Sequence, residues 1–557
     1  MALTDGSTRI SPLKLRVPGQ RDEARGDVGG VPRAKLEEFG FHKVEVKDAV
    51  RVEATRALSD GVVLDAARDD VAEIVLEGGV RLFLLAAEAI DRLPGAATRS
   101  ATRRDEIEIR PVLPLDTAER GIAHWVIEGL RLVGVDLPAM GAVAIASAVD
   151  KKLVPQPGLH RWRDGKTLTP VDGTLTAGDS PWLLFLHGTM SNTGGSFGGL
   201  SAPADGALWN QLAEKYGDRI IALEHYTLTE SPIENALQAL EHLPQRATLH
   251  LVSHSRGGLI GELLCRGNLV ASDGSNQTPT AFDQTDLEQF AGEERSSQRE
   301  KLGQLRDKLA EKRPKIVRFV RVACPARGTT LASGRLDRWM NAMLAALGLA
   351  AGRVPVLGEI YDAVQAMVLA VVKERTNPHL IPGLEAMIPG SPVIKILNRP
   401  GLKSDADLSV IKGDCEASGV LRRLMIWFAD AFYGEEHDLV VNTPAMVAGL
   451  TRVTAREFFD QGAAVDHSHY FVNPRTAERV TGGLLRADAD LAGFATLPGG
   501  EMRGMPVLRS RANDRRPIVF VLPGITGSHL VSGSRRVWID LASLVAGCAI
   551  LPLASHR

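Results

Sequence analysis

The sequence contains little cysteine and almost no net charge, and each shortage excludes a class of protein. Only four cysteines occur in 557 residues, and none of them forms a pair with the spacing of metal ligands. We therefore interpret Cys265, Cys324, Cys415 and Cys548 as reduced, mostly buried thiols. The formal net charge of −2 gives no support for a nucleic-acid-binding protein, because such proteins usually present a strongly basic surface.

Long apolar runs and a secretion signal are also missing. The most apolar region, residues 339–372, is interrupted by Arg353, Pro355, Glu359 and Asp362. No span of roughly 20 apolar residues therefore remains that could cross a bilayer. The N-terminal residues lack the basic start and apolar core of a secretory signal. We expect a cytoplasmic protein without a transmembrane segment.

The first 157 residues are predicted to form a leader and a small domain. Residues 1–40 are rich in glycine, proline, arginine and aspartate with little periodicity, which predicts a flexible leader. Residues 41–157 carry alternating strand patterns and two β-rich runs about a Gly78-Gly79 turn, followed by helical patterns. These patterns predict a small α+β domain.

Residues 158–485 show a different pattern, in which apolar strand-like runs alternate with helical stretches. This alternation is typical of a mostly parallel sheet covered by helices, so we predict an α/β domain. A polar insertion at residues 270–313 carries Leu302, Leu305 and Leu309 on one face of a charged helix. We interpret the insertion as a solvated excursion, with a regulatory or partner-binding arm as the alternative.

Residues 253–257 read Ser-His-Ser-Arg-Gly and lie between a strand pattern and a helical pattern. A nucleophile on a sharp strand-to-helix turn needs small residues two before and two after it, usually as Gly-x-Ser-x-Gly. Ser253 takes the place of the first glycine and is small enough for such a turn. Ser255 is therefore the candidate nucleophile, and a polar turn that caps the following helix is the alternative.

A serine nucleophile also needs backbone N–H groups that stabilise the oxyanion. The apolar run 182–186 ends in His187, Gly188 and Thr189, followed by a loop rich in glycine and serine. We assign the oxyanion hole to the N–H groups of Thr189 and Arg256, the residue after the nucleophile. We interpret His187 as a residue that braces this loop.

The acid and the base should follow the serine in that order, each on a loop after a later strand. Asp438 precedes the β-rich run Leu-Val-Val, and His467 and His469 lie further downstream. We predict Asp438 as the acid and His467 as the base, with His469 as the main rival and a loop packed by this histidine pair as the alternative. Further candidates remain open, namely Glu435, Glu436 and Asp466 for the acid and His437 for the base.

Taken in order, several short motifs resemble bacterial lipases of the α/β-hydrolase fold. The motifs are FLHGT, VSHSRGG, CPARGTTLA, HDLVV and DHSHYF, and the resemblance covers about residues 158–480. It is strongest to an uncharacterised bacterial group sometimes joined to caspase-like modules. The resemblance implies an α/β-hydrolase fold with a helical lid, here at residues 335–375. This lid could cover an acyl pocket and make transient contact with a membrane surface, and a pair of core helices is the alternative.

The C-terminal residues 517–557 resemble the opening of lecithin:cholesterol acyltransferase-like enzymes, and residues 486–516 are predicted to form a linker before them. The resemblance depends on an apolar strand and an oxyanion turn, with Pro523, Gly524, Gly527, Ser528 and Trp538. We expect an incomplete second hydrolase-like segment, left either by truncation or as a packed remnant, and assign it no catalysis.

The combined motifs predict a serine esterase or lipase that cleaves a carboxylic ester, possibly of a lipid, through an acyl-serine intermediate. Phospholipase and acyltransferase activities stay open. The alternative is a catalytically idle hydrolase scaffold that acts as a binding or signalling module. No metal or other cofactor is expected, because the histidines lack ligand spacing such as H-E-x-x-H.

Overall fold

The computed structural model divides the chain into two units, Met1–Leu115 with His124–Met502, and Asp116–Ala123 with Arg503–Arg557. Nearly all described residues belong to the first unit. The structure describes residues 13–23, 27–53, 61–88, 97–98, 106–114, 124–178, 180–271, 279–329, 340–341, 344, 357–374, 376–414, 441, 443–461, 467, 470–487, 490–497, 531–532 and 535–536.

The described strands and helices follow in chain order. The strands are β1 (Leu13–Val17), β2 (Gly19–Arg21), β3 (Lys43–Val52), β4 (Val62–Ala66), β5 (Val71–Leu76), β6 (Arg81–Leu85), β7 (Ala97–Thr98), β8 (Glu106–Glu108), β9 (Val112–Pro114), β10 (His124–Asp136), β11 (Gly158–Arg161), β12 (Thr169–Pro170), β13 (Trp182–Leu186), β14 (Ile220–Glu224), β15 (Thr248–His254), β16 (Leu269–Val270), β17 (Lys315–Val322), β18 (Lys403–Ser404), β19 (Asp407–Asp414), β20 (Thr451–Arg452), β21 (Ala455–Gln461), β22 (Ala495–Thr496), β23 (Val531–Ser532) and β24 (Arg535–Arg536). The α-helices are α1 (Arg33–Glu38), α2 (Gly141–Leu153), α3 (Thr193–Phe197), α4 (Ala207–Tyr216), α5 (Pro232–Glu241), α6 (Gly257–Cys265), α7 (Gln284–Glu288), α8 (Ser296–Lys312), α9 (Leu357–Glu374), α10 (Pro382–Glu385), α11 (Pro392–Leu397), α12 (Thr443–Met446) and α13 (Pro474–Leu485). Short 3₁₀ helices span Glu77–Gly79, Ala86–Glu88, Gly198–Ser201, Pro203–Gly206, Gly217–Arg219, Arg266–Asn268, Glu293–Arg295 and Pro378–Leu380.

The largest sheet has the strand order β12-β11-β14-β13-β15-β17-β19-β21-β22 among the described residues. The six strands from β14 to β21 in this order are parallel, and antiparallel strands lie at both edges. Helices cover both faces of a parallel sheet, which explains why every residue of β13, Trp-Leu-Leu-Phe-Leu, is buried. The chain crosses from β14 over β13 to β15. This topology is that of an α/β-hydrolase, as predicted.

The described residues before β11 form two smaller sheets, ordered β4-β1-β8-β7 and β2-β3-β10-β5-β6, with β9 added to β10. The predicted flexible leader is wrong for its described part, because residues 13–21 form β1 and β2 and residues 33–38 form α1. Leu13, Leu15 and Val17 alternate with charged residues and are at most 2% exposed. A period of two residues therefore buries one face of β1 although the leader as a whole is polar.

The described part of the predicted lid packs on the N-terminal sheet that contains β5 and β6, and on α2. Helix α9 is buried along most of its length and contacts α2 and β6. The Ala142 N–H at the start of α2 donates to Glu374 Oε2 at 2.8 Å. Asn341 pairs with the edge strand β6, since its side chain accepts from Phe83 N at 2.7 Å and donates to Phe83 O at 2.9 Å. These contacts support the alternative of packed core helices for this part.

The polar insertion is attached to the α/β domain by α7 and α8. Leu302, Leu305 and Leu309 are buried, which confirms that they share the inward face of α8. Asp286 in α7 forms a buried ion pair with Arg266, which follows α6. The described part of the insertion is thus a packed element rather than a solvated excursion, because its apolar face and its ion pair are both covered.

The cysteines and the C-terminal segment are only partly covered by the described residues. Cys265 and Cys324 are buried and unpaired, which confirms the prediction for these two, whereas Cys415 and Cys548 lie outside the described residues. Of the C-terminal hydrolase-like segment only the short pair β23 and β24 is described. Among the described helices, none has the length and apolar composition needed to cross a membrane.

Candidate active site

Ser255 occupies a strained turn between β15 and α6. Its φ of 51° lies in the left-handed region, which non-glycine residues rarely adopt. The Ser255 N–H donates to Val322 O at 2.9 Å and fixes the turn to the neighbouring strand β17. A Cβ at Gly257 would lie 2.1 Å from Leu186 O, so the second glycine of the elbow is required. This backbone geometry fits the elbow predicted for Ser255.

Ser253 fits at the first glycine position of the elbow. It is the β15 residue paired with Leu186 and Arg321 in the neighbouring strands, and it is fully buried. Within the described part of the chain its Oγ has no hydrogen-bond partner. The serine is therefore accommodated by size, and its hydroxyl contributes no contact there.

His467 is the predicted base that the structure brings to the serine. Its Nε2 lies 2.9 Å from Ser255 Oγ, within hydrogen-bond distance. His467 follows β21, the last parallel strand of the sheet, as the order serine, acid, histidine requires. The imidazole can thus take the Ser255 proton without any movement of the backbone.

His254, the residue before the nucleophile, holds the backbone of the histidine loop. Its Nε2 donates to His467 O at 2.9 Å, and its Nδ1 lies 3.3 Å from Ser196 Oγ. The elbow and the histidine loop are thereby fixed to each other. The sequence analysis missed this residue, because its pattern offered only a variable position between two serines.

The remaining triad candidates lie outside the described residues. These are Asp438 as acid, His469 as rival base, and the alternatives Glu435, Glu436, His437 and Asp466. The acid of the triad therefore stays a prediction. The described strand β19 ends at Asp414, ahead of the segment that contains Asp438.

The predicted oxyanion residues lie at the two sides of the elbow. Gly188 follows β13 and packs on the nucleophile, since a Cβ there would lie 3.1 Å from Ser255 Cβ. Thr189 comes next, and its N–H forms no hydrogen bond with any described residue. The same is true of the Arg256 N–H in the described part of the chain. Among the described residues, nothing occupies these two donors, which is compatible with the predicted oxyanion hole.

The side chain of Arg256 has a separate role from its backbone N–H. It is fully buried and donates to Gly383 O, Asn235 Oδ1 and Glu230 O at 3.1, 2.9 and 2.6 Å. Burial lowers the pKa of Arg256 to about 10, although Asp150 and Glu230 oppose the shift. The guanidinium thus ties the first turn of α6 to three carbonyl groups around the site.

His187 is enclosed behind the loop that follows β13. It is fully buried, its ring stacks on that of His225 with centroids 3.8 Å apart, and its Nε2 accepts from His225 N at 3.2 Å. Burial lowers the pKa of His187, so the ring is neutral and uncharged at pH 7. These contacts support its interpretation as a bracing residue. Among the described residues, no cluster of histidine, cysteine, aspartate and glutamate could hold a metal ion.

The profile of a domain of unknown function, DUF7379, matches residues 152–280 and 298–485, more than half of the chain. The chain belongs to the DUF7379 family. No curated protein matches the sequence.

Solved structures similar to this DUF7379 protein include several ester-cleaving enzymes. EstA from Clostridium botulinum has 12% identity and a TM-score of 0.32, over 61% of this chain and 99% of that one. Lipase 1 from Pelosinus fermentans has 13% identity and a TM-score of 0.31, over 54% and 95%. The enol-lactonase from Burkholderia xenovorans LB400 has 16% identity and a TM-score of 0.25, over 56% and 91%. At these low TM-scores, the topology and elbow of the DUF7379 protein itself are the evidence for its fold.

Proposed function

We propose that this protein is a serine hydrolase of the esterase type that cleaves a carboxylic ester through an acyl-serine intermediate. The observation that supports the proposal is the 2.9 Å separation of His467 Nε2 and Ser255 Oγ on a left-handed strand-to-helix turn. Nucleophile and base within hydrogen-bond distance are the arrangement that activates a serine hydroxyl.

In the proposed reaction His467 Nε2 takes the proton of Ser255 while Oγ forms a bond to the ester carbonyl carbon. The carbonyl oxygen becomes an oxyanion and accepts hydrogen bonds from the N–H groups of Thr189 and Arg256, each typically worth about 3 kcal/mol. The carbon–oxygen bond to the alcohol then breaks, and His467 returns its proton to the leaving oxygen. Water hydrolyses the acyl-serine with His467 as base, and Asp438 is proposed to hold the imidazole tautomer.

The proposed substrate is an ester with an apolar acyl group. A lipid substrate would fit the predicted lid, but the burial of α9 gives no support for an opening motion of that helix. We therefore propose a small ester substrate and make lipid cleavage an outcome of the test. The cytoplasmic location stays a prediction from the N-terminal sequence.

The test is labelling of the full-length protein with a fluorophosphonate probe, which reacts only with an activated serine. We expect label on the wild type and none on Ser255→Ala. Ser296→Ala, at the exposed start of α8, is the matched control and should be labelled like the wild type. Absence of label on the wild type, or equal label on Ser255→Ala, would favour the idle binding scaffold. Hydrolysis of p-nitrophenyl esters of increasing chain length then separates esterase from lipase.

A further inference from the structure

Asp150, on helix α2, binds a loop of the α/β domain through its carboxylate. The carboxylate is almost completely buried and accepts hydrogen bonds from Thr227 N at 3.0 Å, Leu228 N at 3.2 Å and Thr229 N at 2.8 Å. The Thr229 hydroxyl donates a further bond at 2.8 Å. Because a carboxylate that accepts several N–H bonds is held in one orientation, this loop after β14 is fixed to α2.

This loop after β14 also holds the oxyanion loop, which we define as residues 189–192. The Met190 N–H donates to Thr227 Oγ1 at 2.9 Å, and the Thr227 hydroxyl lies 3.5 Å from Asp150 Oδ1. Met190 has a φ of 46°, a left-handed conformation that a non-glycine residue keeps only when its surroundings fix it. The peptide N–H of Met190 is thus used for support, whereas that of Thr189 beside it has no partner in the described part of the chain.

A second contact joins α2 to the other end of the oxyanion loop. Asn192 Nδ2 donates to Leu153 O, the last residue of α2, at 3.0 Å. Asn192 Oδ1 caps helix α3 by accepting from Gly195 N at 2.8 Å. The amide therefore bonds α2 on one side and the helix that follows the oxyanion loop on the other.

We infer that Asp150 is a positioning residue for the oxyanion hole, acting through Thr227 on Met190. The bond from Asn192 to Leu153 O is a second support from the same helix. The inference rests on the proposed function, because it concerns the transition state of that reaction. Asp150 lies two residues before the part of the chain that the DUF7379 profile matches. The geometry of the oxyanion loop thus depends on the Asp150 carboxylate, which lies outside the matched domain.

The physical consequence is specific to the transition state. A substrate carbonyl binds weakly to the hole in the ground state, whereas the tetrahedral oxyanion needs both N–H groups aligned. Loss of the Asp150 carboxylate releases the loop at 227–229 and lets the Met190 peptide rotate, which turns the Thr189 N–H away. The rate of acylation should fall while the Michaelis constant stays nearly unchanged.

The test compares three variants of the full-length protein. Asp150→Asn removes the charge and replaces one acceptor oxygen by a donor. Asn192→Asp keeps the helix cap, since aspartate accepts from Gly195 N as well, but loses the donor to Leu153 O. Asp286→Asn is the matched control, because it alters an equally buried carboxylate that lies in the insertion and pairs with Arg266.

All measurements are made at a temperature where circular dichroism shows each variant folded. We measure the rate of fluorophosphonate labelling, and kcat and KM for a p-nitrophenyl ester. We also measure inhibition by phenylboronic acid, which forms a tetrahedral adduct on the serine. For Asp150→Asn we expect labelling and kcat to fall by on the order of 10- to 100-fold, with KM within about twofold and inhibition weakened by a similar factor. Asn192→Asp should change the same quantities in the same direction by on the order of tenfold. Asp286→Asn should lower the melting temperature and leave all three at wild-type values.

The outcomes distinguish this inference from the proposed function. A wild type that is labelled, together with a folded Asp150→Asn that is labelled and inhibited like it, would overturn the positioning role alone. A rise in KM without a fall in kcat would also overturn it, because that result indicates substrate binding. A wild type without label overturns the proposed function and with it the role of Asp150 in the reaction.

Discussion

The hydroxyl of Ser255 and the imidazole of His467 lie 2.9 Å apart although 212 positions separate them in the sequence. Ser255 follows β15 and His467 follows β21, and these strands are parallel members of one sheet. Their carboxyl ends therefore lie at the same edge, where open α/β sheets bind ligands. The separation of Ser255 Oγ and His467 Nε2 depends on the strands that lie between β15 and β21. Substitutions that shift either residue should therefore change this separation.

His467→Gln should abolish most of the hydrolysis while leaving the fold intact. The variant removes the proposed base for the Ser255 proton, and loss of one member of such a unit typically lowers kcat by about 10⁴-fold or more. Steady-state hydrolysis of a p-nitrophenyl ester measures the effect. His379→Gln, which alters an exposed histidine, serves as the control and should retain wild-type kcat. Wild-type activity of His467→Gln would contradict His467 as the base and would indicate that another histidine takes the proton.

Gly188→Ala should reduce kcat more than it reduces stability. Its Cβ would lie 3.1 Å from Ser255 Cβ and 3.3 Å from His254 Nδ1, so the nucleophile or its neighbour must shift by a few tenths of an ångström. Small displacements of a reacting group lower rates strongly, and we expect a fall of roughly tenfold or more. The control is Gly198→Ala, where a Cβ meets no atom within 4 Å. Equal kcat for both variants would contradict the close packing of Gly188 on the nucleophile.

The two small residues that flank the nucleophile should respond to alanine in opposite directions. Ser253→Ala removes a buried hydroxyl without a partner among the described residues, so the free energy of unfolding should rise by about 1 kcal/mol. Gly257→Ala places a Cβ 2.1 Å from the backbone oxygen of Leu186, so the free energy of unfolding should fall by about 2 kcal/mol or more. Urea denaturation followed by tryptophan fluorescence measures both values. A stabilised Gly257→Ala would show that this close approach is absent.

Glu230 should make the free energy of unfolding fall between about pH 4.5 and 7. Burial, together with the charges of Glu234 and Asp150, raises the pKa of Glu230 to about 7 from its ordinary 4.5. The folded state therefore binds more protons than the unfolded state in this interval, so stability is present below the lower pKa and lost as the pH rises through the higher one. The loss should be on the order of 2 to 3 kcal/mol.

Glu230→Gln tests this pH dependence, because glutamine resembles the protonated carboxyl group and cannot ionise. Urea denaturation at a series of pH values should show a smaller decrease for the variant than for the wild type. Glu234→Gln, one turn further along, gives the effect of removing a neighbouring charge only. Parallel curves for Glu230→Gln and the wild type would contradict the raised pKa.

Much of the α/β domain could be predicted from the sequence because its signals are local. The run 182–186 is short, apolar and flanked by a proline and a glycine-containing turn, and this length and these flanks favour a buried strand. The order of Ser255 and His467 along the chain is a property of the fold, so it could be read without knowing any distance. The prediction for Leu302, Leu305 and Leu309 followed from helical spacing alone.

The rest depends on contacts between residues far apart in sequence, which no local pattern reveals. Asp150 lies in the last turn of a helix of ordinary composition, and its contacts appear only when the loop 227–229 lies against it. The leader was predicted as flexible because its composition is polar, whereas β1 is held by pairing with β4 and β8. Helix α9 was assigned to a lid from its position in the chain, and its burial comes from packing on sheets formed by much earlier residues.

That packing of α9 has a consequence for synthesis on the ribosome. Strands β5 and β6 and helix α2 are complete once residue 153 has been translated, but the helix that covers them ends at Glu374. The apolar surface of β5, β6 and α2 stays uncovered until some two hundred further residues have been translated. Contacts between segments so far apart in sequence form slowly. Nascent chains halted before residue 374 therefore expose this surface, and chaperones that bind apolar segments should associate with them until α9 arrives.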